Sequence, residues 1–210
     1  MDLQLSKSPY INTVLYTQVS LFPNQMNNNL YINLKKNLEK MIKFKCFEHY
    51  GYIQDIFEII DYKYNSIPAE NFLASAVYNI SFSCRLCLPL KGMQIICKIQ
   101  KINKHLFTAS NGPILVIVTK ERINDKNFFN DSNNNIRFST DDNKSQLLKS
   151  VHFVKLTLDT ITFENGDDKI KAIGFLDNIA TDEEIKNFYH DLYSKDSEFI
   201  DFDSHNISES

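Results

Sequence analysis

The sequence has only five glycines in 210 residues and lacks the short motifs that accompany the common kinds of catalytic site. It contains no glycine-rich phosphate loop, no GxSxG nucleophile elbow and no HExxH metal motif. The five histidines are far apart in the chain, and no pair of carboxylates occurs in a catalytic context. We therefore expect a protein with no catalytic residues and no enzyme activity of its own.

Long apolar runs are also absent. No stretch approaches the ~18 consecutive apolar residues of a transmembrane helix. The N-terminal residues lack the basic region and the apolar region of a secretory signal. A cytosolic or nuclear compartment is therefore expected, in which thiols stay reduced.

The four cysteines do not have the spacing of a structural zinc site. Cys84, Cys87 and Cys97 supply three thiols, and the fourth ligand would have to be the distant Cys46 or a histidine. Residues three apart in a strand point to opposite faces, so Cys84 and Cys87 would diverge. We interpret all four as small buried hydrophobic residues, and we expect no metal and no cofactor.

Charge is distributed unevenly although the net charge is only −3. Residues 84–126 contain eight basic residues against two acidic ones, whereas residues 176–210 contain ten acidic residues against two lysines. A basic middle is typical of a surface that contacts an anionic partner, and the acidic end is typical of a solvated tail.

The first part of the chain reads as strands with one helix. Loose alternation over residues 10–20 predicts a strand, and leucines at helical spacing over 29–44 predict an amphipathic helix. Aromatic and isoleucine-rich residues 45–61 predict one or two strands with a bend at Gly51, and residues 72–87 predict a long strand. We assign residues 1–83 to a first domain.

The second part reads almost entirely as strands. Five are predicted, over residues 92–103, 105–110, 114–119, 151–163 and 169–175. Five strands with short turns and one long polar loop, at 124–150, indicate a five-stranded Greek-key barrel of the oligonucleotide-binding type over residues 84–180. Residues 181–210 are predicted to form a short helix and an acidic tail, unstructured from about Asp196.

Five short sequences occur in an order that is informative as a set. They are Tyr50-Gly51-Tyr52-Ile53, Cys87-Leu88-Pro89-Leu90-Lys91-Gly92, Phe107-Thr108-Ala109 with Asn111-Gly112-Pro113, Thr119-Lys120, and Ile170-Lys171-Ala172-Ile173-Gly174. With the element types between them, they resemble the stalk subunit of archaeal and eukaryotic RNA polymerases over about residues 10–182. That family comprises the seventh subunit of RNA polymerase II and the archaeal E-prime subunit.

The resemblance implies an α+β fold and a binding role. The first domain would be a ribonucleoprotein-like tip that docks on the polymerase core at the base of the clamp. The second would be an S1-like barrel beside the RNA exit channel. Implied partners are the core subunits, nascent single-stranded RNA and a small helical partner like the fourth subunit, with no membrane. The Asn, Lys and Ile bias suits a large DNA virus, with the protein in the cytoplasmic virus factory and the virion, or an AT-rich eukaryote, with the protein in the nucleus.

Candidate RNA-binding residues lie in the basic middle of the chain. The cations are Lys98, Lys101, Lys104, Lys120 and Arg122, and His105 with Phe107 and Phe82 would offer stacking faces. Single strands bind barrels by stacking in a charged groove, which requires both residue types on one surface. The alternative is a solvated rim of a strand pair, with Phe107 in the core.

Candidate docking residues are Tyr50, Gly51, Tyr52 and Ile53. Aromatic anchors next to a glycine suit a pocket on a partner. The alternative is a strand bend that packs the first domain. Two further functions stay open at this point: a free-standing S1-like RNA-binding protein in translation or RNA decay, and a scaffold whose barrel does not contact RNA.

Overall fold

The structure is a computed structural model and describes residues 8–67, 74–103, 105–130, 136–139, 145–193 and 199–206. Its first part is a five-stranded sheet in the order β13-β1-β4-β3-β2. The strands are β1 (Tyr10–Leu21), β2 (Cys46–Phe47), β3 (Gly51–Ser66), β4 (Ala76–Cys87) and β13 (Phe199–Asn206). The strands predicted at residues 10–20, 45–61 and 72–87 are thereby confirmed.

Helix α1 (Leu30–Ile42) covers one face of this sheet, within the predicted range 29–44. Its buried residues Leu34, Leu38 and Ile42 recur every four positions and therefore lie on one side of the helix. They pack with strand residues such as Phe82 and Leu86 in the core of the first part. Burial of this stripe, at roughly 1.5–3 kcal/mol per large side chain, holds the helix on the sheet.

The second part is a closed five-stranded barrel in the order β11-β12-β7-β6-β5. Its strands are β5 (Gln94–Ile102), β6 (Leu106–Asn111), β7 (Ile114–Thr119), β11 (Phe153–Thr162) and β12 (Ile170–Ile179). β7 and β12 pair in parallel, and the other four pairs are antiparallel. The predicted α+β class and the five-stranded barrel are confirmed.

Residues 124–150 were predicted as a loop, and this prediction is wrong. The segment contributes a three-stranded sheet of β8 (Phe128–Asn130), β9 (Ile136–Ser139) and β10 (Ser145–Leu147). Phe128, Ile136 and Phe138 are buried in the barrel's hydrophobic cluster. These few apolar residues are enough to anchor strands of three or four residues within an otherwise polar sequence.

The prediction of an unstructured tail from about Asp196 is also wrong for residues 199–206, and the rest of that tail lies outside the described residues. The backbone of β13 pairs in parallel with β1, so that Phe199 lies opposite Asn12 and Ile200 opposite Thr13. Without β13, β1 would be the edge of the sheet and its outer backbone groups would have no strand to pair with. An edge of this kind is invisible in the composition of the tail.

Helix α2 (Asp182–Tyr193), which confirms the predicted helix after residue 181, connects the barrel to the first sheet. Its C-terminal carbonyls accept hydrogen bonds from two strand residues: Arg85 Nη2 donates to Asp191 O, and Gln54 Nε2 donates to Leu192 O at 3.3 Å. Both donors belong to the first sheet, so they satisfy helix-end carbonyls that would otherwise lack a partner.

Tyr10 makes a second connection between the two parts. Its hydroxyl donates to Asn111 Oδ1 at 2.8 Å, and the Arg85 guanidinium lies 5.3 Å from its ring centroid. The predicted division between residues 83 and 84 falls inside the continuous strand β4, and Cys84 and Cys87 at that point face different cores. All four cysteines are buried, as predicted.

Neither helix in the described part of the chain is long and apolar enough to cross a lipid bilayer.

Candidate nucleic-acid interface

One side of the barrel carries outward side chains from four adjacent strands, β5, β6, β7 and β12; we call it the barrel surface. Alternation decides which residues reach it. On β12, Ala172 and Leu176 are buried in the core, whereas Lys171, Ile173 and Phe175 are exposed. The same period of two holds on β7 and on the first half of β5.

Strand register arranges these side chains in two rows across the barrel surface. The first row contains Lys98, Ser110, Leu115 and Lys171, each opposite the next. The second row contains Lys101, Thr108, Ile117 and Ile173 in the same way. Each row therefore begins with a lysine on β5 and continues to apolar side chains on β7.

The dimensions of the rows suit an extended anionic chain. Adjacent strands lie ~4.8 Å apart, so three strand spacings place the backbones of Lys98 and Lys171 ~14 Å from each other. Both lysines are exposed. The surface thus has an apolar centre with cations at two sides, which can hold bases and phosphates at the same time.

The structure brings most of the predicted cations to this part of the barrel. Lys98 and Lys101 lie on the two rows and are exposed. His105 is exposed at the end of the β5–β6 connection, and its carbonyl accepts a 3.2 Å hydrogen bond from the backbone N–H of the half-buried Lys120. Lys104 lies outside the described residues.

Two of the predicted stacking residues are corrected by the structure. Phe107 is fully buried inside the barrel, and Phe82 is fully buried in the core under α1. Neither ring can present a face to RNA, because each occupies the inward phase of its strand. The alternative reading of Phe107 as a core residue is the one that the structure supports.

Arg122 has a more specific environment than a solvated cation. Its Nη1 donates to Asp159 Oδ2 at 2.6 Å, and its guanidinium carbon lies 4.6 Å from the ring centroid of Phe175. Lys91 Nζ lies 3.4 Å from the other oxygen of Asp159. Hydrogen bonds from Arg122 and then Lys91 hold the pKa of the Asp159 carboxyl below its usual value.

Phe175 and Asp159 are residues that the sequence interpretation missed. Phe175 is 42% exposed, two positions after Ile173 on the same face of β12. The charged Lys171 sets the outward phase of the strand, and Phe175 lies four positions later in the same phase, which is the one sequence signal that could have identified it as outward. The contact with Arg122, by contrast, joins segments that are 53 positions apart and has no local signal in the sequence.

The predicted docking residues lie mostly inside the chain, and this prediction is corrected. Gly51, Tyr52 and Ile53 are buried, and Tyr50 is half-buried against the first core. Gly51 has a φ of +85°, and a Cβ there would lie 2.5 Å from the carbonyl oxygen of Cys87. The segment therefore packs the chain against itself, which is the alternative that the sequence had left open.

Exposed apolar side chains occur instead on the far half of β3. Ile60, Tyr62 and Tyr64 are 54%, 40% and 59% exposed, and we call them the β3 apolar row. Tyr64 also contacts the ring of Tyr78 edge-on, with 5.9 Å between ring centroids. Neighbouring exposed aromatic side chains of this kind are typical of protein interfaces.

Within the described ranges, no three His, Cys, Asp or Glu residues come together in a way that could hold a metal ion.

Comparison with known proteins identifies the family. No family model matches the chain. A protein of Acanthamoeba polyphaga mimivirus named "Putative DNA-directed RNA polymerase subunit L376" is 35% identical over 185 residues, which cover 88% of this chain and 90% of that protein. The resemblance to an RNA polymerase subunit is thereby confirmed, and the chain belongs to the family of viral DNA-directed RNA polymerase subunits that includes this mimivirus protein.

Proposed function

We propose that this chain is a non-catalytic stalk subunit of a viral DNA-dependent RNA polymerase. Its first sheet would dock on the polymerase core at the base of the clamp, and its barrel would contact nascent RNA. The observation that carries the RNA contact is the pair of rows on the barrel surface, because they place Lys98, Lys101 and Lys171 around an apolar centre of the half-buried Leu115 and Ile117 and the exposed Ile173.

The strand order supports an S1-like barrel of the oligonucleotide-binding type. The barrel has five strands, with four antiparallel pairs and one parallel pair, β7 with β12. This arrangement fits a five-stranded Greek key. Barrels of this type bind oligonucleotides on the outer face of their central strands. The barrel surface includes β6 and β7, so the charged rows occupy the position that such binding requires.

RNA contact on this surface would be weak and independent of sequence. Lysines attract phosphates without reading bases, and their contribution falls as salt rises because counterions are released on binding. Apolar and aromatic side chains accept any base by stacking. A subunit that follows a moving transcript needs this combination, because tight or sequence-specific binding would retain the RNA.

Docking on the polymerase core would use the β3 apolar row. Its three side chains are exposed in the isolated chain, unlike the buried Tyr52 and Ile53. Aromatic residues that enter a partner's pocket provide much of the energy of an interface. A small helical subunit like the fourth subunit remains part of the proposal as a further partner.

The test is affinity purification of the tagged subunit from its native source at moderate salt. The proteins that elute with it are then identified by mass spectrometry. We expect the large catalytic polymerase subunits at a ratio near one to one. Changing Tyr62 and Tyr64 together to Ser should lower their recovery about tenfold or more. Tyr16→Ser is a matched control, since Tyr16 is also 40% exposed but lies on β1.

Two outcomes would contradict this proposal. Recovery of RNA with ribosomal or decay factors, and no polymerase, would favour a free-standing RNA-binding protein. Equal recovery with the Tyr62/Tyr64 variant and with the wild type would remove the β3 apolar row as the docking surface.

A further inference from the structure

Phe175 on the barrel surface forms a connected unit with two neighbouring side chains, Arg122 after β7 and Asp159 on β11. Asp159 accepts a 2.6 Å hydrogen bond from Arg122, and the Arg122 guanidinium lies 4.6 Å from the centroid of the Phe175 ring. Phe175 is the one exposed aromatic on the outward face of β12. The Phe175 ring does not belong to the buried cluster of the barrel, so core packing does not account for its position against an arginine.

We propose that Phe175 stacks an unpaired base of bound RNA, and that Arg122 is a positioning residue that holds the ring rather than a phosphate contact. The inference rests on the proposed RNA contact of the barrel. It changes the role expected for Arg122, whose charge is already paired with Asp159. The phosphate contacts then fall to Lys98, Lys101 and Lys171, of which Lys171 has only a longer, 3.7 Å pairing with Asp167 and stays largely exposed.

Backbone contacts fix Arg122 relative to the ring. The turn Lys120–Arg122 leads to Ile123, which pairs with Leu176, and the N–H of Asn124 donates to the Leu176 carbonyl at 3.0 Å. Arg122 is therefore fixed both at its backbone and at its guanidinium, which donates to Asp159. A ring held in this way loses less rotamer freedom when a base stacks on it, which favours binding.

Charge complementarity selects single-stranded RNA as the occupant of this apolar surface. Lys171 lies four positions before Phe175 on the same face of β12, and Lys98 lies opposite Ser110 in the first row. An anionic chain with exposed bases matches cations around an apolar centre. A protein partner on the same surface is a different outcome, which the test separates.

Substitution of Asp159 tests the inference through the direction in which RNA affinity changes. Asp159→Asn removes a negative charge beside the proposed RNA path, so simple electrostatics predicts tighter RNA binding. If Asp159 acts by holding Arg122 against Phe175, the same change weakens binding. The two readings therefore predict opposite directions for a single substitution.

The experiment measures binding of the full chain to a fluorescein-labelled 12-nucleotide oligouridine by anisotropy, over a series of salt concentrations. Phe175→Ala should weaken binding about 5- to 100-fold with an unchanged salt slope, since base stacking carries no counterion release. Phe175→Tyr should keep most of the affinity. Asp159→Asn should weaken binding, and Lys171→Ala should lower the salt slope by about 0.7.

Phe129→Ala is the matched control, because Phe129 is 44% exposed but lies on β8, in the three-stranded sheet outside the barrel. It should leave the affinity unchanged. Wild-type affinity in Phe175→Ala, or tighter binding by Asp159→Asn, would overturn the inference and leave the RNA contact standing. Absence of any RNA binding by the wild type at low salt would overturn both. Loss of polymerase recovery in Phe175→Ala, without a change in RNA affinity, would assign the surface to a protein partner and overturn the inference.

Discussion

Substitution of Gly51 by alanine should destabilise the chain far more than the same change at Gly92. Both glycines have a left-handed backbone, with φ of +85° and +81°. They differ in the space around them: a Cβ at Gly51 would lie 2.5 Å from the Cys87 carbonyl oxygen and 3.1 Å from Leu88 Cδ1, whereas a Cβ at Gly92 would meet nothing within 4 Å.

The expected loss in the free energy of unfolding has two contributions, the left-handed backbone and the clash of the new Cβ. An L-residue in the left-handed region costs about 1–2 kcal/mol, and this term is common to both variants. Only Gly51→Ala adds a clash with a main-chain oxygen, for which overpacking of about 1–3 kcal/mol is typical. Any gain from reduced freedom of the unfolded chain is also common to both, so the difference between the variants isolates the clash.

The assay is thermal or urea unfolding of both variants and the wild type. A difference of about 1–3 kcal/mol corresponds to about 2–12 °C in Tm for a chain of this size. Equal destabilisation by the two substitutions would refute the close approach of β3 to β4 at Gly51. The result also bears on function, because loss of polymerase association in a Gly51 variant would report a disturbed fold rather than a lost docking contact.

Three further predictions concern the connections within the fold. Tyr10→Phe should cost about 1–3 kcal/mol in urea unfolding, because it leaves Asn111 Oδ1 without its buried donor at 2.8 Å; an unchanged midpoint would argue against that bond. Thr181→Ala should lower the free energy of unfolding by about 1 kcal/mol, because the Thr181 hydroxyl accepts a 3.3 Å hydrogen bond from the N–H of Glu184. The control is an exposed barrel threonine changed to alanine, and an equal loss in the two variants would contradict the prediction. Burial raises the pKa of the Cys84 thiol from 9.0 to about 12, so the unfolded chain releases this proton first and the free energy of unfolding should fall as pH rises above about 9. Cys84→Ala should reduce that fall by up to about 1.4 kcal/mol per pH unit, measured between pH 9 and 10, and identical pH profiles would refute the argument.

Local alternation made most of the strands predictable from the sequence. A period of two over residues 10–20 and 72–87, and a continuous apolar run over 114–119, depend only on neighbouring positions, and the structure has strands β1, β4 and β7 there. The sheet of β8, β9 and β10 was not predicted because its strands have only three or four residues in an Asn- and Ser-rich sequence. The pairing of β13 escaped because it depends on an open edge in a distant part of the chain.

The site was predictable in its charges and less so in its aromatic residues. Lys98 and Lys101 could be identified from the sequence because they belong to its basic segment, and the fold places both on the barrel surface. Phe107 and Phe175 are both strand phenylalanines, and only the phase of the alternation separates the buried ring from the exposed one. The contact of Arg122 with Phe175 is a product of tertiary structure and could not be predicted.

The most direct test of the account is crosslinking in the transcribing polymerase. A photoreactive amino acid at Ile173, exposed at the β12 end of the second row, should crosslink to nascent RNA once the transcript is long enough to leave the enzyme. The same group at Gln18, exposed on β1 of the first sheet, should give no crosslink. An assembled polymerase that contains the Ile173 variant, transcribes normally and shows no RNA crosslink from that position would contradict the proposed RNA contact.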